Sequence, residues 1–182
     1  MTYLYRVFPW LPDARSRQPG HALFVAGQGS GRIDNPDRYR VLYASDQPAG
    51  ACAEVFDYKP IWNVGMLRGT PGLPASIRAL ATIKLDEDVL ICDLDDASRL
   101  VGLGLRPSEV VTRDRIVTRA WAIRLFEENR WGGIRWWSYY DARWGSHGVW
   151  ELDALTVEAV EALTLDHPAV VEASVVLNRP IH

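Results

Sequence analysis

The chain has 182 residues, 48% of them hydrophobic and 24% charged, the balance of one globular domain with a real core. Its net charge of −3 excludes a broad basic surface for nucleic acid but leaves room for a local pocket that takes one anionic ligand. Two cysteines, Cys52 and Cys92, are too few for a disulfide framework, and neither has a Cys or His neighbour at metal-ligand spacing.

Tyr3 to Phe8 reads as a short first strand, rich in aromatic residues and stopped by Pro9. Arg6, Pro9, Pro12 and Asp13 interrupt this segment, so no signal peptide is expected. No apolar run is long enough to span a bilayer, and a cytoplasmic protein is the expectation. Pro12 to Gly20 is polar and predicts a loop, and His21 to Ala26 an apolar strand. A glycine-rich stretch follows, then a strand over Arg40 to Ala44. Ser45 or Asp46 can cap the next helix, with Pro48 in its first turn. Ala49, Cys52, Ala53 and Phe56 share one face of it, and Glu54 lies off that stripe.

Lys59 to Pro74 carries many Pro and Gly and predicts an extended loop. Ala79 to Leu85 and Val89 to Leu94 predict two strands joined by Asp86 to Asp88. Asp95 or Asp96 can cap a short helix that ends near Gly102 and Gly104. A longer helix is expected from Thr112 to Asn129, with Ile116, Val117, Ala120 and Ile123 inward. Gly133 to Tyr140 predicts a strand, Thr156 to Leu163 a helix, and Val170 to Leu177 a closing strand. Strands and helices mix without regular β-α-β alternation, which favours α+β over a doubly wound fold.

Gly27, Gly29 and Gly31 evoke a dinucleotide fingerprint, but Asn35-Pro36-Asp37 signals a turn where the fingerprint needs a helix. The acidic residues from Asp86 to Asp96 lack the ligand spacing of a calcium loop and read as turns and caps. His21, His147, His167 and His182 are too scattered for a zinc site, so no metal is expected. Five of eight tryptophans fall between Trp131 and Trp150. Such aromatics either build a core or stack on a ligand; since Trp136 and Trp137 point to opposite faces of a strand, one is available to a ligand.

Gly31-Arg32-Ile33-Asp34-Asn35-Pro36, Val41-Leu42-Tyr43-Ala44-Ser45 and Ala51-Cys52-Ala53-Glu54-Val55 together resemble the RES domain, a family named for its Arg, Glu and Ser. Tyr5-Arg6 matches the family's opening Tyr-Arg pair, and Ser138 in Trp136-Trp137-Ser138-Tyr139-Tyr140 its late serine. The departures are Ile33, where the family has an aromatic, and Ser30 and Asp34. The resemblance covers about residues 3 to 177 and implies a single α+β domain over 1–182 with an ADP-ribosyltransferase-like fold. It further implies cleavage of NAD at the nicotinamide–ribose bond, often as the toxin of a pair with an Xre-type helix-turn-helix antitoxin.

The residue types suit that chemistry. Arginine forks at Arg6 and Arg32 can meet pyrophosphate oxygens. A carboxylate at Glu54 can stabilise oxocarbenium character on the ribose. Tyr43 can stack on nicotinamide or its ribose, and Ser138 can donate to a phosphate or the amide. NAD is then a substrate, and no resident cofactor is expected. The acceptor stays open: water makes a glycohydrolase, inorganic phosphate a phosphorylase, and a protein side chain an ADP-ribosyltransferase. A non-catalytic module that binds a ligand through its tryptophans is the alternative. Nucleic acid and membrane are not expected as partners.

Overall fold

The computed structural model describes residues 1–182. Its elements run β1 (Thr2–Trp10), β2 (Leu42–Ser45), α1 (Pro48–Phe56), β3 (Arg68–Thr70), β4 (Leu73–Leu85), β5 (Ile91–Asp93) and α2 (Ala97–Leu103). They continue as α3 (Pro107–Val110), α4 (Arg115–Glu127), β6 (Gly133–Trp137), β7 (Gly145–Val149), β8 (Leu155–Ala162) and α5 (Pro168–Leu177). One mixed sheet joins the strands in the order β3-β4-β1-β2-β7-β6-β5, and β8 lies beside β3 on the outer edge of β4. Only β5 and β6 run parallel. This is the α+β, single-domain architecture expected from the order of elements. No helix is long and apolar enough to cross a membrane.

The strands alternate their side chains between two faces. Tyr5 and Val7 of β1 face α1 and α5, in a core with Cys52, Phe56, Trp62 and Val170. Leu4 and Phe8 face the other way, against Leu42 and Ile83 and a lid of Ala22, Leu23 and Val25. A third core, with Ile33, Trp121, Leu125, Ile134 and Trp136, holds α4 against β6. β1 pairs with β4 along its whole length, from Thr2↔Leu85 to Trp10↔Ile77, but meets β2 at a single pair, Tyr5↔Ser45.

Several segments depart from expectation. His21 to Ala26 buries Ala22, Leu23 and Val25 but is not a strand, because side chains take the place of a ladder partner: Arg6 donates to the carbonyl of Ala22 and Arg40 to those of Val25 and Ala26. The expected loop at 59–74 contains a 3-10 turn over Val64–Leu67 and the hairpin from β3 into β4. In α4 the buried face is Thr118, Trp121, Ala122 and Leu125, while Ile116 is 84% exposed. The bulk of Trp121 and Leu125 sets the helix rotation, not the count of β-branched residues.

The segment expected as a helix from Thr156 is β8. A bulge at Glu158, where Ile83↔Val157 is followed by Thr82↔Ala159, puts Val157 and Val160 on the same buried face. That three-residue spacing imitates a helix. Conversely, the valine-rich end is α5, with His167 accepting from the Ala169 amide at its start, Pro168 in its first turn and Asn178 in the left-handed conformation at its end. β7, which reads as a loop in sequence, is a fully buried central strand. Its Gly148 is required there, because a Cβ would sit 2.3 Å from Cδ1 of Ile33.

Candidate active site

A cleft of about 600 Å³ opens on the α1 face of the sheet, across the β1–β2 junction. Its walls come from α1, the glycine loop, the α3–α4 connection and the turn after β6. Arg32, Tyr43 and Glu54, three of the residues singled out in the sequence, line it together.

Glu54 projects from α1 beside Ala51 and Val55, off the helix face packed in the core. Its Oε1 accepts from Ser146 Oγ at 3.3 Å and from Ser138 Oγ at 3.4 Å. The residue remains exposed, yet it opens into the cleft rather than onto the outer surface. Desolvation there pushes its carboxyl above the usual glutamate range, against the opposing pull of Ser146, Arg32 and Ser138. Ser138 itself is 4% exposed and accepts from the Tyr140 amide at 3.2 Å, so it stands behind the carboxylate rather than in the cleft wall. Ser146 is the partner that sequence reading missed, because its strand shows only Gly, Ser and His before Val149.

Arg32 donates through Nη1 to the carbonyls of Val110 at 2.7 Å and Thr112 at 2.8 Å, and its guanidinium lies 6.0 Å from the Trp136 ring. Burial and the neighbouring charge of Arg115 lower its pKa, while Glu54 and Tyr43 act to raise it. Arg32 and Glu54 feel each other's charge without forming an ion pair, so both face the cleft uncompensated by a direct contact.

The glycine loop is organised by Asp34, which the sequence marked only as a departure. Its carboxylate accepts from the amides of Gly29 and Gly31, each at 2.7 Å, and from the Tyr43 hydroxyl at 2.6 Å. Burial alone raises an aspartate; here the Tyr43 and amide hydrogen bonds overcome it and hold Asp34 below its ordinary value. The Tyr43 hydroxyl also accepts from the Ile33 amide, so only the ring of Tyr43 is left for a ligand. That ring meets Trp136 edge-on at 6.5 Å, and Trp136 is the member of the tryptophan pair that lines the cleft.

Arg6 is placed differently from the expectation. The residue borders the cleft, but β1 alternation sends its side chain to the face of Leu4 and Phe8, where it donates to Ala22. Burial lowers its pKa to about 10. Its Nη1 ties β1 to the segment that carries Ala22. His147 also borders the cleft by position, and here too alternation decides: Ser146 faces Glu54, so the His147 ring faces away, alongside its cross-strand partner Arg135. The imidazole is 4% exposed, neither nitrogen has a partner, and burial lowers its pKa to about 4. No three His, Cys, Asp or Glu side chains converge at metal-binding distance. The acidic residues after β5 instead serve a cap at Asp96 and a network in which Arg135 meets Asp46, Asp93 and Asp95.

No curated protein matches the sequence. Among solved structures, a chain of the M. tuberculosis MbcT–MbcA toxin–antitoxin complex superimposes with a TM-score of 0.59 at 17% identity, over 90% of this chain and 84% of that one. At that identity the likeness concerns the fold. The family model described as the RES domain matches residues 4–171, nearly the whole span that carries β1 to α5 and every side chain of the cleft. The chain belongs to the RES-domain family.

Proposed function

We propose that this protein cleaves NAD between nicotinamide and ribose, and that it is the toxin of a toxin–antitoxin pair. The observation that carries the enzymatic reading is the Glu54 carboxylate, presented to the cleft by two serine hydroxyls and left without a cationic partner at contact distance. A fixed negative charge in a partly desolvated pocket is what a developing ribose cation needs, and it strengthens toward the transition state.

In the reaction, the bond from ribose C1 to the nicotinamide nitrogen breaks, and its electron pair neutralises the pyridinium ring. Glu54 faces the cationic carbon while an acceptor oxygen bonds to it and releases its proton. Arg32 supplies positive charge toward the phosphates, and the Tyr43 ring with Trp136 forms the aromatic wall for the departing base. NAD is the substrate in this reading, with no metal or resident cofactor, and water or inorganic phosphate is the acceptor. The toxin role and an antitoxin partner are supported by the toxin–antitoxin complex that shares the fold; a cytoplasmic setting and an Xre-type helix-turn-helix antitoxin belong to the same proposal.

The test is to incubate the purified protein with NAD, with and without phosphate, and to identify the products. Free nicotinamide with ADP-ribose identifies hydrolysis, and nicotinamide with phosphorylated ADP-ribose identifies phosphorolysis. Label retained on a protein would replace both with ADP-ribosyl transfer. Intact NAD under all conditions would overturn the enzymatic reading and favour a binding module.

A further inference from the structure

The cleft holds more free positive charge than the family's named arginine supplies. Arg113 and Arg115 flank the N-cap of α4 and line the same cleft as Glu54. Arg115 donates through Nη1 to the Thr112 carbonyl at 3.1 Å, the same oxygen that takes Nη1 of Arg32 at 2.8 Å. Two guanidinium groups thus converge on one carbonyl oxygen with no carboxylate between them. Arg113 is exposed and makes neither a hydrogen bond nor an ion pair within the protein. The nearest acidic residue in sequence, Asp114, turns its carboxylate to the Ile116 and Val117 amides. Each of the three arginines therefore keeps donors unused by protein.

Like charges held together without counter-ions disfavour the empty site and favour an anion that spans them. Arg6 is held to Ala22 on the face of β1 turned away from α1, so it does not join this cluster. We infer that Arg113 and Arg115, with Arg32 behind them, form the subsite for the diphosphate bridge of a dinucleotide. The assignment rests on the reading of NAD as substrate and gives it a direction: the bridge lies along the α3–α4 connection, and the ribose is thereby carried over Glu54.

The test uses ADP, AMP and adenosine as probes, measured by calorimetry on the full chain and on Arg113→Ala, Arg113→Glu and the Arg113→Ala/Arg115→Ala double variant. Arg113 is exposed and makes no hydrogen bond or ion pair, so its single variants should keep the fold, and melting temperatures verify all the variants. ADP is expected to bind the parent more tightly than AMP, and AMP more tightly than adenosine. The double variant should lose roughly tenfold to a hundredfold in ADP affinity and little for adenosine. Arg113→Glu should lose more than Arg113→Ala, and added salt should weaken ADP binding to the parent more than to the double variant. In NAD turnover the loss should fall on KM rather than kcat. A folded double variant that binds ADP like the parent, or a parent that does not bind ADP, would overturn the subsite. If the parent binds ADP through these arginines yet leaves NAD intact, the subsite stands and the proposed reaction falls. If the parent cleaves NAD and the double variant does so with unchanged KM, the reverse holds.

Discussion

Ser146 Oγ lies 3.3 Å from Oε1 of Glu54, linking the central strand β7 to helix α1 across the floor of the cleft. The contact fixes the carboxylate where it is most costly to keep ionised. Burial raises its pKa, and the Ser146 hydroxyl is the foremost of the groups that pull it back.

Replacing Glu54 with Gln should abolish cleavage without harming the fold. The amide keeps the volume and still accepts from the serines, while the charge opposed to the ribose cation is gone. Losing one preorganised electrostatic contact of this kind costs on the order of 3 kcal/mol, about a hundredfold or more in kcat. The melting temperature should hold or rise slightly, because the carboxylate is desolvated in the folded state. Turnover near the parental rate in a folded variant would refute the role.

The pH profile should carry the same signature. Activity requires ionised Glu54, whose folded pKa is above the ordinary 4.5, so the acid limb of kcat/KM should lie above pH 4.5. Ser146→Ala removes a donor to the charged form, so it should move that limb to higher pH and leave the plateau rate within several-fold. A limb that does not move, measured over pH 4 to 8, would show that Ser146 acts only in packing.

Asp34→Asn should loosen the glycine loop. Three donors, the Gly29 and Gly31 amides and the Tyr43 hydroxyl, converge on a carboxylate that an amide replaces with one acceptor and one donor. A loss of about 2 kcal/mol is expected at pH 7 from hydrogen bonds to a charged group. Asp34 has a depressed pKa, so its contribution is complete above the ordinary aspartate value and is lost as pH falls through the lowered one. The difference between parent and variant in urea midpoint should therefore shrink on strong acidification.

His147 predicts a pH dependence of stability rather than of rate. Its pKa is about 4 in the folded chain against 6.5 for the free side chain. Between those values the unfolded chain binds the proton and the folded one does not, so stability falls as pH drops from 6.5 toward 4. The full effect is on the order of 3 kcal/mol. Because neither ring nitrogen has a partner, His147→Leu should keep or raise stability at pH 7 and flatten the slope between pH 6.5 and 4. Denaturant titrations at several pH values measure it.

What the sequence showed, and what it hid, follows from local physics. Glu54 was legible because it breaks an apolar helical stripe, and Arg32 and Tyr43 because they sit in short ordered motifs. Arg6 matched its motif equally well, but the face of β1 on which it falls depends on which side the helices pack. Ser146 was hidden, and His147 read as a loop residue, because the glycines around them serve close strand packing and carry no β signal. β8 and α5 exchanged identities for two reasons. A bulge gave β8 the spacing of a helix, and packing against α1 overrode the β-branched composition of α5, whose Pro168 and Asn178 nonetheless marked its ends.

The single pair Tyr5↔Ser45 divides the sheet into two slabs, one built on β1 and β4 and the other on β2, β7 and β6. The cleft straddles that seam, with Tyr5 and Val7 on one lip and Tyr43, Ser45 and Ser146 on the other. With one residue pair joining the slabs, the seam is the line along which the sheet holds together by the fewest backbone hydrogen bonds. A ligand seated across both lips acts as a staple. It should slow amide exchange at Ser45 and Tyr5 well beyond the protection it gives the interiors of the slabs.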